Sequence, residues 1–237
     1  MSSTTPTPPS PTLTERRKAE TRMEIARAAA GLFVRHGLRA TRAEDIAQAA
    51  GIAPRTFYRY FATKEEAVAP LYAAGAQRWV EAVRAAPAEA GVLRALEQGV
   101  RHTLTPGVGV SASSWEWIRA LLRLAETTPS LRRVWAEVCQ ASERLLGEVL
   151  AERVTRAGTP GTSGVTAVPG GGDNVAAAGE PPAATPELRF AAAVASAAVR
   201  AALEAWAAGD GPVEGADGPA ELALRNLAAL RDFPWGP

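Results

Sequence analysis

The residues most suited to chemistry lie between Arg55 and Lys64, where cationic and hydroxyl side chains alternate with two phenylalanines. An arginine guanidinium can donate two hydrogen bonds to the O6 and N7 atoms of guanine, whereas hydroxyl and ammonium groups suit phosphate oxygens. This stretch therefore has the residue types of a nucleic-acid-binding surface. The side chains that we expect to face outward are Arg55, Thr56, Tyr58, Arg59, Tyr60 and Lys64.

Two short helices joined by a tight turn are predicted to hold these side chains in place. Thr41 and Glu44 have the spacing of a capping box at the start of the first helix. Gly51 stands where a left-handed turn residue is needed. Phe57 and Phe61 are four residues apart, so they lie on one face of the second helix and can bury it. This arrangement is typical of a helix-turn-helix, whose second helix meets the DNA.

The same region carries a family resemblance through residues at fixed spacing. The matching residues are Ala29, Leu32, Phe33, Gly37, Thr41, Asp45, Ile46, Ala47, Ala50, Gly51, Thr56, Tyr58, Tyr60, Phe61 and Lys64. On these residues, the run from about Arg16 to Ala67 resembles the N-terminal domain of TetR-type transcriptional regulators. The resemblance implies a homodimer that reads a palindromic operator and is released by a small-molecule effector, with repression the commoner mode. No cofactor is expected.

Motif position divides the predicted DNA contacts into two groups. Arg55 and Arg59 are the expected base readers. The other expected contacts, mostly to phosphates, are Thr41, Arg42, Thr56, Tyr58, Tyr60 and Lys64. The TetR-type family often has a small hydroxyl residue, which contacts phosphate, at the position of Ala43. Because this chain has alanine there, we do not predict that phosphate contact.

The charge distribution supports DNA as the partner. The formal net charge is only +1, which taken alone argues against a general nucleic-acid binder. Residues 1–64, however, contain eleven basic and five acidic side chains, whereas the remaining 173 residues contain 15 basic and 20 acidic ones. A basic N-terminal module on an acidic body is the asymmetry expected when one end of a protein meets phosphate. One cysteine and two histidines exclude an intrachain disulfide and a Cys/His zinc site.

The rest of the chain predicts an all-α fold of about nine helices. We expect a disordered arm at 1–13, a DNA-binding domain at 14–64 with its helix-turn-helix at about 41–62, and a helical effector-binding and dimerisation domain at 65–237. Within that last domain, the Gly-, Pro-, Ala- and Thr-rich residues 158–185 predict a disordered loop. No signal peptide is visible, which predicts a cytoplasmic protein.

Two sets of residues in the predicted body are candidates for binding. The resemblance implies an effector pocket among the middle helices, and its possible lining residues are Leu104, Trp115, Ile118, Leu122, Trp135 and Cys139. Such a lining suits a hydrophobic or aromatic effector, although the same residues could be plain core. The resemblance also implies a two-fold dimer through a four-helix bundle. We assign its interface to the last two long helices, at Val194, Ala198, Leu203, Trp206, Leu224 and Leu227.

Three alternatives are weaker on the sequence. A helical ligand-binding scaffold or sensor with a vestigial DNA module is disfavoured by the intact Arg, Thr, Tyr and Lys surface. An enzyme would have to use His102 or Cys139, which lie on predicted core helices and are more simply a satisfied polar group and a small buried hydrophobe. A membrane-spanning helix over 190–208 is disfavoured because Arg200 and Glu204 fall inside it.

Overall fold

The computed structural model describes residues 12–107, 112–158 and 183–235. Residues 1–11 and 159–182, which make up most of the predicted arm and loop, lie outside these ranges. Within the ranges the chain forms nine α-helices and no β-strand, which confirms the all-α prediction. The helices are α1 (Leu13–His36), α2 (Ala43–Ala49), α3 (Pro54–Tyr60), α4 (Ala69–Ala85), α5 (Val92–Leu104), α6 (Ala112–Thr127), α7 (Pro129–Gly158), α8 (Pro186–Ala208) and α9 (Pro219–Ala229).

Backbone packing divides the chain into two compact units, one ending at Leu71 and the other beginning at Tyr72. The first unit contains α1, α2 and α3, followed by a 3-10 turn at Glu65–Val68. Its core consists of apolar side chains that are almost fully buried, namely Ile25, Ala29, Phe33, Ile46, Ala47, Phe57 and Phe61. The domain boundary predicted after residue 64 lies a few residues before this division.

The start of α2 differs from the prediction. Its cap is Arg42, whose backbone N–H donates to Asp45 Oδ2 at 2.8 Å. Thr41 lies before the helix, and its hydroxyl donates to the carbonyl oxygen of Gly37 at 2.9 Å. The capping box predicted from Thr41 and Glu44 is therefore wrong, because the helix begins one residue later and Asp45 supplies the carboxylate.

The second unit contains the alanine-rich helix α8, which packs against α6, α7 and α9. Close approach is possible because the inward face of α8 is mostly small, with Ala191, Ala192, Ala195 and Ala202 all buried. By length and composition, α8 is the one helix in the described ranges that could cross a membrane, and 39% of its apolar stretch is buried inside the protein. The core helix of a soluble protein passes the same test.

Arginines from neighbouring helices close the ends of α4 and α8. Arg153 on α7 is 4% exposed. It donates, at 2.8–3.2 Å, to the carbonyl oxygens of Val83, Ala86, Pro87 and Ala90. Arg123 on α6 donates to the carbonyl oxygens of Ala207 and Gly209 at 2.6 and 2.7 Å. These cationic donors reach carbonyls in the last turn of each helix and in the chain that follows it, where a positive charge interacts favourably with the helix end.

Candidate nucleic-acid interface

The helix α3 has seven residues and is anchored in the first unit by two phenylalanines. Pro54 occupies its first position, where a missing N–H has no intrahelical partner to lose. Phe57 is fully buried and Phe61, just after the helix, is 3% exposed. Their ring centroids are 5.8 Å apart. Gly51 has a φ of +67°, the left-handed conformation predicted for the turn before α3.

The outward side of α3 presents the predicted readers. Arg55 and Arg59 are both exposed, and Tyr58 is 53% exposed. The Arg59 guanidinium lies 5.6 Å from the centroid of the Tyr60 ring, and Thr56 and Tyr60 are half-buried. Since Arg55 and Arg59 are about 6 Å apart along the helix axis, each guanidinium can reach a different base. The structure thus brings cationic and hydroxyl groups together on one short helix.

Arg22 on α1 supports the C-terminal end of α3, a role that the sequence did not indicate. Its Nη1 donates to the carbonyl oxygen of Tyr60 at 3.1 Å. Its guanidinium also lies 4.7 Å from the centroid of the Phe61 ring. A cation at a helix C-terminus interacts favourably with the unpaired carbonyls there. No local spacing links residues so far apart in the chain, so only the structure reveals this contact.

Lys64 is tied into the first unit more firmly than predicted. Its side chain is half-buried, and its ammonium donates to the carbonyl oxygens of Leu38 at 2.7 Å and Thr41 at 2.8 Å. An ammonium group has three N–H donors, so the connection between α1 and α2 takes up two of them. Lys64 therefore fastens this connection, and its phosphate contact stays a prediction.

The two remaining predicted contacts lie just before α2 and differ in exposure. The Arg42 side chain is 75% exposed, with its Nε 3.4 Å from Glu44 Oε2. A surface pair of this kind is weak and leaves the guanidinium available to a ligand. Thr41, by contrast, is 2% exposed. Its hydroxyl donates within the connection between α1 and α2 and does not face a DNA ligand. The predicted DNA contact of the Thr41 side chain is therefore corrected.

Two short helices around a left-handed glycine, the second showing arginines to solvent, define a helix-turn-helix DNA-binding module. The family model described as "Bacterial regulatory proteins, tetR family" matches residues 25–69. The HTH-type transcriptional regulator TcmR of Streptomyces glaucescens is 32% identical over 156 residues, which cover 64% of this chain and 68% of TcmR. The chain belongs to the TetR family of DNA-binding transcriptional regulators, which are not enzymes.

A solved TetR-family structure agrees with the all-helical fold. The FadR repressor of Thermus thermophilus, a TetR-family protein in complex with lauroyl-CoA, aligns with a TM-score of 0.51 and 23% identity, covering 88% of this chain and 92% of FadR. A TetR-family regulator from Mesorhizobium loti aligns with a TM-score of 0.49 and 18% identity, covering 90% of this chain and 96% of that one. At this identity, the likeness to FadR shows the fold alone.

The cavity described in the second unit contains half of the residues predicted to line an effector pocket. A cavity of about 770 Å³ lies between α6, α7 and α8. Three of the six predicted residues line it, namely Leu122, Trp135 and Cys139. The other three, which do not line it, are Leu104, Trp115 and Ile118. Trp115 is 1% exposed and its ring packs edge-on against Trp206 at 5.4 Å, so it belongs to the core of the second unit.

The lining of this cavity is more charged than predicted. Its ionisable side chains are Glu126, Arg132, Glu143, Arg200 and Glu204, besides the thiol of Cys139. Trp135 Nε1 donates to Glu204 Oε1 at 2.8 Å, and Arg200 Nη1 lies 3.7 Å from the same carboxylate. The cavity therefore combines apolar side chains, among them Leu122 and Trp135, with charged ones, and its suitability for a hydrophobic or aromatic effector stays a prediction.

Of the two residues that an enzyme would have needed, Cys139 is unsuited to nucleophilic chemistry. It is half-buried on α7, whereas His102 is exposed on α5, which corrects the expectation that His102 is a satisfied polar group of the core. Burial is the main cause that raises the pKa of the Cys139 thiol to about 12. The thiol therefore stays protonated at neutral pH, where only a thiolate would be reactive. Among the residues that the structure describes, no group of three His, Cys, Asp or Glu side chains could hold a metal ion.

Most of the predicted dimer residues lie inside the core of a single chain. Four of the six are at most 9% exposed, namely Ala198, Trp206, Leu224 and Leu227. Such side chains have almost no area left to bury against a second copy, which corrects the prediction for them. Val194 and Leu203 are half-buried. The large apolar side chain that α8 does expose is Phe190, at 62%, which sequence reasoning missed.

Proposed function

We propose that this protein is a repressor that binds a palindromic operator as a homodimer and leaves it when a small-molecule effector binds the helical body. The observation that carries the DNA-binding part is the division of α3 into two sides. Phe57 and Phe61 are buried, while Arg55 and Arg59 are exposed. The two arginines read bases, and the phosphate contacts come from Arg42, Thr56, Tyr58, Tyr60 and the remaining donor of Lys64.

A dimer is needed because α3 is short. A helix of seven residues offers only two arginines to base edges, which is too few contacts for specific binding by one copy. Two such helices related by a two-fold axis read two half-sites about one DNA turn apart, and this is the reason for a palindromic operator.

The exposed side of α8 supports a dimer surface at that helix. Phe190, Val194, Ala197 and Ala201 follow one another at helical spacing along its solvent-facing side. The Phe190 ring lies 5.5 Å from the ring of Phe233, which enlarges the apolar area at the start of α8. The small alanine side chains further along the helix would let the α8 of a second copy approach closely.

Replacing Arg59 with alanine tests the base-reading role. We expect Arg59→Ala to weaken operator binding by about 1–3 kcal/mol and to relax sequence preference, because one bidentate contact to guanine is lost. The operator would first be selected from genomic DNA with the purified protein, and affinities then measured by gel shift. The matched control is Arg144→Ala, which removes the same charge from an exposed position on α7. Unchanged affinity and preference for Arg59→Ala would contradict the assignment.

Introducing a charge at Phe190 tests the dimer surface. We expect Phe190→Glu to weaken self-association at least about tenfold, because the carboxylate would be buried against the partner without a compensating charge. Light scattering after size exclusion reports the change in mass. The control is Val34→Glu, which adds the same charge at an apolar position that is 43% exposed on α1. An unchanged dissociation constant of the Phe190→Glu dimer would show that the interface lies elsewhere on the protein.

The effector acts by favouring one conformation of the body over another. It can shift that equilibrium only by the difference between its affinities for the two states. In the state that binds effector, the two recognition helices of the dimer would no longer match successive major grooves. A saturating effector that left DNA affinity constant would contradict this scheme.

A further inference from the structure

The helix α3 is too short to hold its own position. It has seven residues, so only a few of its backbone N–H groups have intrahelical carbonyl partners. Phe61 follows it with a φ of −141° and a ψ of 136°, an extended conformation that ends the helix abruptly. Isolated helices of this length are marginal in water. Contacts from other parts of the first unit must therefore fix the direction of α3 and its rotation about its own axis.

The two phenylalanines hold α3 against the core without fixing its rotation. Phe57 and Phe61 are buried, but hydrophobic attraction is non-directional. A rotation of about 10° moves a side chain that stands about 6 Å from the helix axis by about 1 Å. Binding groups must be held within about 0.5 Å of their productive positions. A directional contact is therefore needed besides the buried rings.

Arg22 supplies such a contact at the C-terminal end of α3. Its Nη1 donates to the carbonyl oxygen of Tyr60, and its guanidinium lies beside the ring of Phe61. Tyr60 is the last residue of the helix, and its carbonyl is one of those that a helix end leaves without an intrahelical partner. One planar group thus holds the backbone of one residue and the ring of the next.

The Arg22 side chain makes this contact across a distance that the backbones do not close. The backbones of α1 and α3 approach each other less closely than those of α1 and α2 or of α2 and α3. Lys64 also ties this part of the chain to the connection between α1 and α2. It lies four residues after the end of α3, however, whereas Arg22 holds the helix end itself.

The end that Arg22 holds carries one of the two predicted base readers. Arg59 directly precedes Tyr60, and its guanidinium lies 5.6 Å from the centroid of the Tyr60 ring. A shift of the Tyr60 backbone therefore moves both the origin of the Arg59 side chain and the ring beside its end. Arg55 follows Pro54 at the other end of α3, more than one helical turn from the contact.

We propose that Arg22 is a positioning residue for base reading by Arg59. It acts through the backbone of Tyr60 and the ring of Phe61, and it does not contact DNA itself. The inference rests on the proposed function only for the role of Arg59 as a base reader. Without the Arg22 guanidinium, the buried Phe57 still holds α3 to the core, but Arg59 samples more orientations and discriminates less between base pairs.

Gel shifts on the selected operator measure this discrimination at single base pairs. The preference ratio for a position is the dissociation constant with that base pair replaced in both half-sites, divided by the dissociation constant with the selected operator. The position read by Arg59 is the one at which Arg59→Ala lowers the ratio most, and Arg55→Ala gives the position read by Arg55. Because both constants come from one preparation, an inactive fraction of the protein cancels in the ratio.

Arg22→Met should lower the ratio at the Arg59 position about three- to tenfold, because a bidentate contact discriminates only while its geometry is held. The ratio at the Arg55 position should change by less than about twofold, because that residue is distant from the contact. Arg22→Ala also removes the donor and keeps a good helix former, so it should give the same pattern. In the Arg59→Ala background, Arg22→Met should leave the ratio unchanged, since the two residues act through one contact.

The matched control is Arg27→Met, which removes the same charge from an exposed position on the same helix. Its ratios should equal those of the unaltered protein at both positions. If the ratio at the Arg59 position stays within about twofold in either Arg22 variant, the inference is overturned. An equal fall at both positions would overturn it too, because that is the result of a general loosening of the unit.

Hydrogen exchange of the free protein gives a second readout that needs no DNA. The N–H of Phe61 donates to the carbonyl oxygen of Phe57 at 3.1 Å and closes the last turn of α3. We expect Arg22→Met to speed the exchange of this N–H about three- to tenfold, because the helix end opens more often. The N–H of Ala50, which donates to Ile46 at the end of α2, should keep its rate. An unchanged rate at Phe61, or an equal change at both sites, would overturn the inference.

The Arg59→Ala variant keeps this inference apart from the proposed function. If Arg59→Ala lowers a preference ratio and Arg22→Met does not, the positioning role alone is rejected and base reading stands. If Arg59→Ala changes no ratio, base reading by Arg59 is rejected and the positioning role falls with it.

Discussion

Lys64 offers the sharpest test of how the DNA-binding unit is built, because two roles compete for one ammonium group. Its Nζ donates to the carbonyl oxygens of Leu38 and Thr41 at 2.7 and 2.8 Å. Hydrogen bonds from a charged donor contribute about 1.5–3 kcal/mol each, and water can replace part of that contribution at a half-buried site. We therefore expect Lys64→Met to lower the free energy of unfolding by about 2 kcal/mol.

The assay combines denaturant unfolding with the salt dependence of DNA binding. The matched control is Lys18→Met, which alters the other lysine of the chain at an exposed position on α1. Its free energy of unfolding should change by no more than about 0.5 kcal/mol. If the third N–H of Lys64 also meets a phosphate, the salt slope of Lys64→Met should fall by about 1, equally for all DNA sequences.

The two measurements separate the two roles. Lower stability with an unaltered salt slope would make Lys64 a fastener of the connection between α1 and α2 alone. Unaltered stability with a shallower salt slope would refute the reasoning from the structure, because it would show that the bonds to Leu38 and Thr41 contribute nothing to the folded unit.

Two further predictions concern buried groups of the body. Arg153→Met should lower the free energy of unfolding by about 3 kcal/mol, because four carbonyls lose a charged donor. Urea denaturation measures this change, with the exposed Arg144→Met as the control. Equal free energies of unfolding for the two variants would contradict the prediction. Burial raises the pKa of the Cys139 thiol from 9.0 to about 12, so its contribution to stability is complete below pH 9 and is lost as the pH rises toward 12. Iodoacetamide at pH 9 should accordingly label native Cys139 far more slowly than the urea-unfolded chain, and equal rates would refute the burial argument.

Local signals were sufficient to predict the elements of the fold. The bounds of α8 follow from Pro186 at its start and Gly209 after its end, and the structure has the helix where they place it. The four-residue spacing of Phe57 and Phe61 likewise gave the buried side of α3. At α2 the predicted capping residue was wrong. Thr41 and Asp45 both belong to residue types that cap helices, and the sequence alone does not show at which residue the helix begins and therefore which of them caps it.

Contacts between distant parts of the chain could not be predicted in this way. The helix α8 is apolar nearly all round, so its sequence does not say which side faces its own chain. Trp206 was predicted at the dimer surface and is instead in the core, whereas Phe190 is exposed.

The same limit applies to reading function from charge. The excess of basic residues before residue 65 favours a DNA partner, yet Arg22 and Lys64 use their donors on carbonyls of the first unit. Arg153 does the same at the end of α4 in the second unit. Cations that cap carbonyls in this manner stabilise the fold and add little to a DNA-facing surface. Fewer cationic side chains can therefore contact phosphates or bases than the number in the sequence suggests. Arg55 and Arg59 on α3 are the best-defined of them.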